Sequence, residues 1–318
     1  MNTFAMKMGS LALGSLLASS AFAAQTGGLL LKPEQLSAAT RAGLLSAVTA
    51  EKAKHPERFE AVAAVKGCTT EGYAGKRNPK PQCMTELRDL GREHTLALLS
   101  GLVFEAPHTR DGHVPYASAA EQQAYTKAAI EAVGRFRQAE TAQVMYAGLM
   151  QGNSAFWQSE ANALGRLGSD TETHALVDLA GTDNPRQAAA VSGLGECKRP
   201  EAAVALASLL AKHPQGQQLA GVADAMGRVA SAWAWQAMGP SKAAMALDVR
   251  MTVAKAAVGA LATYSDADAL EQVRQSLWMA EHPDTVTMLQ SAAHAGNAEV
   301  RARLEALARR YQIYLNRR

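Results

Sequence analysis

Apolar residues return at helical spacing along this chain. Leu36, Ala39, Leu44, Leu45, Val48 and Ala53 predict a helix over residues 36–65, and Pro33 suits its first turn. His55-Pro56 breaks that helix, and residues 57–65 resume it. Residues 67–82 are rich in Gly, Pro and Lys and predict a loop. Leu87, Leu90, Leu96, Leu98, Leu99 and Leu102 predict one helix over residues 85–104. Pro107, Asp111-Gly112 and Pro115 mark a second loop over 105–118.

From residue 119 the pattern repeats. Ala-Val-Gly-Arg-Phe ends at Phe136, Ala-Leu-Gly-Arg-Leu at Leu167, Gly-Leu-Gly-Glu-Cys at Cys197 and Ala-Met-Gly-Arg-Val at Val229. The central glycines, Gly134, Gly165, Gly195 and Gly227, stand 31, 30 and 32 residues apart. Ala262 and Ala295 take the glycine place in two weaker copies. A period of this size predicts stacked units, each burying its apolar face on its neighbours. Each unit reads as two helices. Residues 157–167 and 171–180 form one pair around the turn Gly168-Ser169-Asp170. Residues 186–197 and 201–212 form the next, with Asp183 or Asn184 as cap and Pro185 in the first helical position. A glycine late in a helix costs about 1 kcal/mol relative to Ala. Taking that cost at the same place four times points to close approach of a neighbouring helix. The fourth unit is longer than its peers and carries Trp233, Trp235 and Gly239-Pro240.

The fold class expected is therefore all-α: an α-solenoid of about six helix pairs after an N-terminal helical region. The second helices, over 139–152, 171–180, 201–212 and 266–281, are expected to line one concave surface. The division is 1–23, 24–118 and 119–318. Residues 1–23 read as a signal peptide. Lys7 is the only charge in the first 31 residues, Met8 to Phe22 is apolar or small, and Ala21-Phe22-Ala23 offers cleavage after Ala23. The apolar run is shorter than the roughly 20 residues of a spanning helix. The expected address is the periplasm or the exterior. Removing 23 of 318 residues leaves 295, with 31 basic and 29 acidic side chains, or +2. That balance argues against nucleic acid as the partner.

Export makes a disulfide between Cys68 and Cys83 the natural reading of two cysteines 15 residues apart. Cys197 takes the place held elsewhere by Phe136, Leu167 and Val229, which reads as a small buried apolar residue. No phosphate loop, nucleophile elbow or His-Glu-x-x-His motif occurs, so no catalytic residue, metal ligand or cofactor is assigned. Trp233 and Trp235 point about 200° apart on a helix, so one faces the core and the other is free to anchor a partner. Arg309 and Arg310 lie off the apolar stripe Val300, Leu304, Leu307 and Tyr311 of the last helix. The polar outer face of a terminal unit accounts for them, and contact with an acidic partner or anionic lipid is the other reading.

The stretch Pro185-Arg186-Gln187-Ala188-Ala189-Ala190-Val191-Ser192-Gly193-Leu194-Gly195 resembles a HEAT repeat, in the short bacterial form associated with phycobiliprotein lyases. The resemblance covers about residues 119–318. It implies a helical array and is nearly silent on activity. With the leader it leads to a non-catalytic protein-binding or scaffold module of the periplasm or cell envelope, binding through a concave face. The alternative is an enzyme or enzyme subunit with its site in the N-terminal region or groove.

Overall fold

Helices start and stop where local chemistry dictates. In α1 (Ala38–Lys54) the Ser37 side chain accepts from the Thr40 N–H, and the helix stops at His55. Pro56 then takes the first position of α2 (Pro56–Ala64). The single helix expected over 85–104 is two helices, α3 (Gln82–Asp89) and α4 (Thr95–Val103). Gly91 parts them, because its φ of +90° lies outside any right-handed helix. A 3-10 turn, Arg92–His94, carries the chain into α4. This is a computed structural model, and it describes residues 27–66, 68 and 82–317. The expected leader over 1–23 and most of the loop over 67–82 lie outside those residues.

The described chain is all-α, and no strand occurs in it. After the head come α5 (Ala119–Phe136) and α6 (Glu140–Gln151), α7 (Trp157–Leu167) and α8 (Asp170–Gly181), then α9 (Gln187–Glu196) and α10 (Pro200–Leu210). α11 (Gly216–Ala230) leads through the short α12 (Ala232–Gln236) and the 3-10 turn Pro240–Lys242 into α13 (Ala243–Thr263). α14 (Ala267–Ala280), α15 (Thr285–Ala295) and α16 (Ala298–Leu315) complete the array. Side chains of Ser118, Asp266 and Asn297 cap α5, α14 and α16. The result is an α-solenoid of about six units with a disulfide-stapled head.

Two rows of helices run the length of the array. α3, α5, α7, α9, α11 and α14 stack in turn, and α8, α10, α13 and α15 form the second row. The repeat glycines explain the first row. A Cβ on Gly134 would lie 2.7 Å from the Ala163 Cβ, and one on Gly195 would lie 2.9 Å from the Ala225 Cα. At Gly165 it would overlap the Gly193 carbonyl. Backbones touch at these points, and no side chain fits between them.

One assignment from the repeat changes. Residues 249–263 carry Ala262 in a glycine-like place, yet α13 packs in the second row, against α10. α14, expected as a second helix on the concave surface, stacks on α11 in the first row instead. The reason is that α12 and its 3-10 turn only lengthen the connection, so α13 is itself the second helix of the α11 unit and α14 opens the next. Ala295 is exposed and marks no close approach. The first-row partner of Gly227 is α14, where a Cβ would lie 2.7 Å from the Met279 Sδ and 3.5 Å from the Ser276 Cα. Gly134 and Gly195 meet the residue two places before the next glycine, so Trp278 stands in the glycine place of α14. Its ring stacks on Tyr311 at 4.7 Å and meets Tyr314 edge-on at 5.0 Å.

The head is bonded to the array. Cys68 and Cys83 form a disulfide with their Cα atoms 4.9 Å apart, and both are buried. α3 packs on α5, and the buried Tyr125 hydroxyl donates to the Val62 carbonyl at 2.9 Å. Residues 28–30 lie against the end of α4, their amides donating to the carbonyls of Val103, Gly101 and Leu102 at 3.0 Å each. Among the described residues no helix is long and apolar enough to cross a membrane.

Candidate functional site

The residue after each repeat glycine is charged: Arg135, Arg166, Glu196 and Arg228. Stacking in steps of about one unit brings these side chains to one end of the first row. There Arg166, Glu196 and Arg228 form a ladder. Arg166 pairs with Glu131 of α5 and, at 3.2 Å, with Glu196 of α9. Arg228 of α11 reaches Glu196 at 2.8 Å and Asp224 at 2.9 Å, and donates to the Ser192 hydroxyl at 3.1 Å. Burial works against the Glu196 charge, but Arg166 and Arg228 hold its carboxyl below the ordinary value.

A groove of about 680 Å³ opens over this ladder, walled on its far side by α12, the 3-10 turn and Met279. Its rim carries Arg135, Arg137 and Lys242, all exposed and none in an ion pair with another described residue. Arg137 is held at φ +54°, where α5 ends in a left-handed residue. Lys198 lies deeper. Its ammonium donates to the Arg228 carbonyl at 2.6 Å, and burial brings its pKa down to about 8 against the pull of Glu196.

Trp233 and Trp235 separate as their spacing requires. Trp235 is buried, and its indole N–H donates to the Val229 carbonyl at 2.8 Å, so it holds α12 in place and offers nothing to a partner. Trp233 is 78% exposed and stands on the groove wall. Met279, 39% exposed, lies on the same groove. Arg309 and Arg310 are exposed on α16 and do not line the groove. Sequence reading singled out Trp233 but missed the cations around it. Their signal was present in the charge that follows each glycine.

Two other hollows are less open to a ligand. One, of about 520 Å³, lies between residues 35–40 and helices α6 and α8. Two of its polar groups are engaged within the fold: the Gln35 side-chain amide donates to the Gln151 carbonyl at 3.0 Å, and the Thr40 hydroxyl donates to Gln143. The other, of about 360 Å³, lies in the head beside Phe59 and Pro107.

One buried carboxyl has no hydrogen-bond partner. Glu160 of α7 lies against Gly148 of α6, which leaves room for it by lacking a Cβ. Burial raises its pKa to about 8, with only the charge of Arg186 opposing. Among the described residues no group of three or more His, Cys, Asp or Glu is placed to hold a metal ion. Cys197 is buried near the Thr173 hydroxyl, and burial pushes its thiol up to about 12. No protein-family model matches the sequence, and no curated protein matches it as a relative.

Proposed function

We propose that this protein is a non-catalytic binding module of the periplasm or cell envelope, built from HEAT-like units, that holds a protein partner in the groove beneath Trp233. One observation carries the reading. A tryptophan 78% exposed, on a helix whose second tryptophan is buried, stands over a groove rimmed by cations with no ionic partner among the described residues. Leaving a large aromatic ring in water gains nothing for folding, and such rings dominate the energetics of protein contacts. The Cys68–Cys83 disulfide and the apolar leader support an oxidising compartment. The groove lies at the ends of the first-row helices, so the partner enters there and not along the second row.

A photo-reactive amino acid at position 233, in the full chain expressed in its own envelope, tests this. The expected result is a discrete cross-linked partner, lost when Arg135 and Arg137 are both changed to Glu. The same probe at the exposed Val204 of α10 is the control. Equal yields from positions 233 and 204 would remove the groove from the reading.

A further inference from the structure

We infer that the occupant of this groove is an acidic polypeptide segment whose apolar side chains pack on Trp233 and Met279. The inference rests on the binding role proposed above and names the chemistry of the partner.

The charge count of the groove fixes the sign. The carboxylates of Glu131, Glu196 and Asp224 are taken up by Arg166 and Arg228. Lys198 spends its donors on backbone carbonyls and adds a partly buried positive charge. Arg135, Arg137 and Lys242 remain on the rim with no ion pair among the described residues. Unpaired guanidinium groups hold carboxylates bidentately, so the rim is matched to Asp and Glu side chains.

The apolar half of the groove fixes the kind of molecule. Trp233 and Met279 form a ring face and a thioether on the same groove. An aromatic ring beside an adaptable thioether takes up aliphatic or aromatic side chains. A polyphosphate chain fits poorly. It carries evenly spaced charge along its length, and here it would run past the carboxylate of Glu196 and the uncharged wall of Trp233 and Met279. A peptide places its acids over the rim cations and its apolar residues over Trp233, leaving the ladder untouched. The small net charge of the chain, +3 over 318 residues, also offers no long basic track to a nucleic acid.

Fluorescence anisotropy on the full mature chain tests this. The probe is a fluorescein-labelled peptide that alternates pairs of glutamate with single leucines. Comparison probes carry lysine for glutamate, or serine for leucine. Phosphatidylglycerol vesicles and a single-stranded oligonucleotide are run in parallel. The glutamate–leucine peptide is expected to bind saturably and to weaken as salt is raised. Trp233→Ala should weaken it about tenfold or more. The Arg135→Glu, Arg137→Glu, Lys242→Glu triple variant should lose it, and the lysine probe should not bind. All four positions are exposed, and thermal melts of the variants establish that they fold.

Three results would overturn the inference. One is no binding of the acidic peptide. Another is binding that these variants leave unchanged. The last is tighter binding of vesicles or oligonucleotide through the same residues. A partner cross-linked from position 233 while the acidic peptides stay silent would sink this inference and leave the binding role standing. Failure of both would sink the two together.

Discussion

Glu160 holds its proton when folded at a pH where the unfolded chain has released it. Its pKa rises from 4.5 to about 8 in the fold. Its contribution to stability is complete below about pH 4.5, declines as pH rises toward 8, and then levels off. Glu196 has the opposite sign. Its held-down pKa gives stability above the ordinary carboxylate value, lost as acid protonates the folded chain. Glu160→Gln, neutral at every pH, is therefore expected to melt higher than the unmodified chain by a margin that widens from pH 5 to pH 8. A margin independent of pH would show that burial of this charge does not limit stability. Glycines supply a second contrast at this scale. Gly165→Ala drives a Cβ into the Gly193 carbonyl and should cost about 1–3 kcal/mol, despite the better helix propensity of Ala. Gly259→Ala in α13 meets nothing within 4 Å and should stabilise by up to about 1 kcal/mol. Urea unfolding of both variants decides the point, and equal signs would contradict the close-packed row.

Between elements, arginines of one helix or its cap close the C-terminal ends of other helices. Arg186 donates to the Leu149 and Met150 carbonyls at the end of α6, at 2.6 and 2.7 Å, with its guanidinium 4.6 Å from the centre of the Trp157 ring. Arg199 reaches the Gly168 carbonyl after α7 at 2.9 Å. Arg303 reaches the Leu261 and Tyr264 carbonyls at the end of α13, and Arg250 the Ala280 carbonyl at the end of α14. Each contact satisfies carbonyls that a helix leaves open and places positive charge at the negative end of its dipole. Arg186→Ala should cost about 2–3 kcal/mol, and Arg186→Lys should recover only part, because an ammonium cannot donate as a planar fork. Full recovery by Lys in urea unfolding would reduce this contact to simple charge. Helix limits were legible at this scale because Pro, Asn and Gly mark them. Residues 157–167 fall on α7 without adjustment. Gly91 was not legible as a break, because the leucines on both sides keep helical phase across it. The place of α13 in the second row was hidden for a similar reason: Ala260-Leu261-Ala262 imitates the repeat, while residues 231–242, which only connect α11 to α13, occupy the stretch where a second helix was due.

Over the whole molecule, the head and the array share bonds, so the disulfide acts beyond the loop it closes. Reduction is expected to lower stability by about 3 kcal/mol on loop-closure entropy. Hydrogen exchange should show the loss in α5 as well as in α3, through Tyr125 and Val62. Loss confined to the head would mean that the two parts unfold separately. The solenoid was legible because its period is written in glycines. The groove was not. Arg135, Arg166 and Arg228 each look like an ordinary surface arginine, and only stacking at intervals of about 31 residues makes neighbours of them. The ladder also ties the array to one unit. Glu196 stands between Arg166 and Arg228, so excising the unit that carries it would set guanidinium against guanidinium. Descendants of this chain that have shed length should have kept that unit.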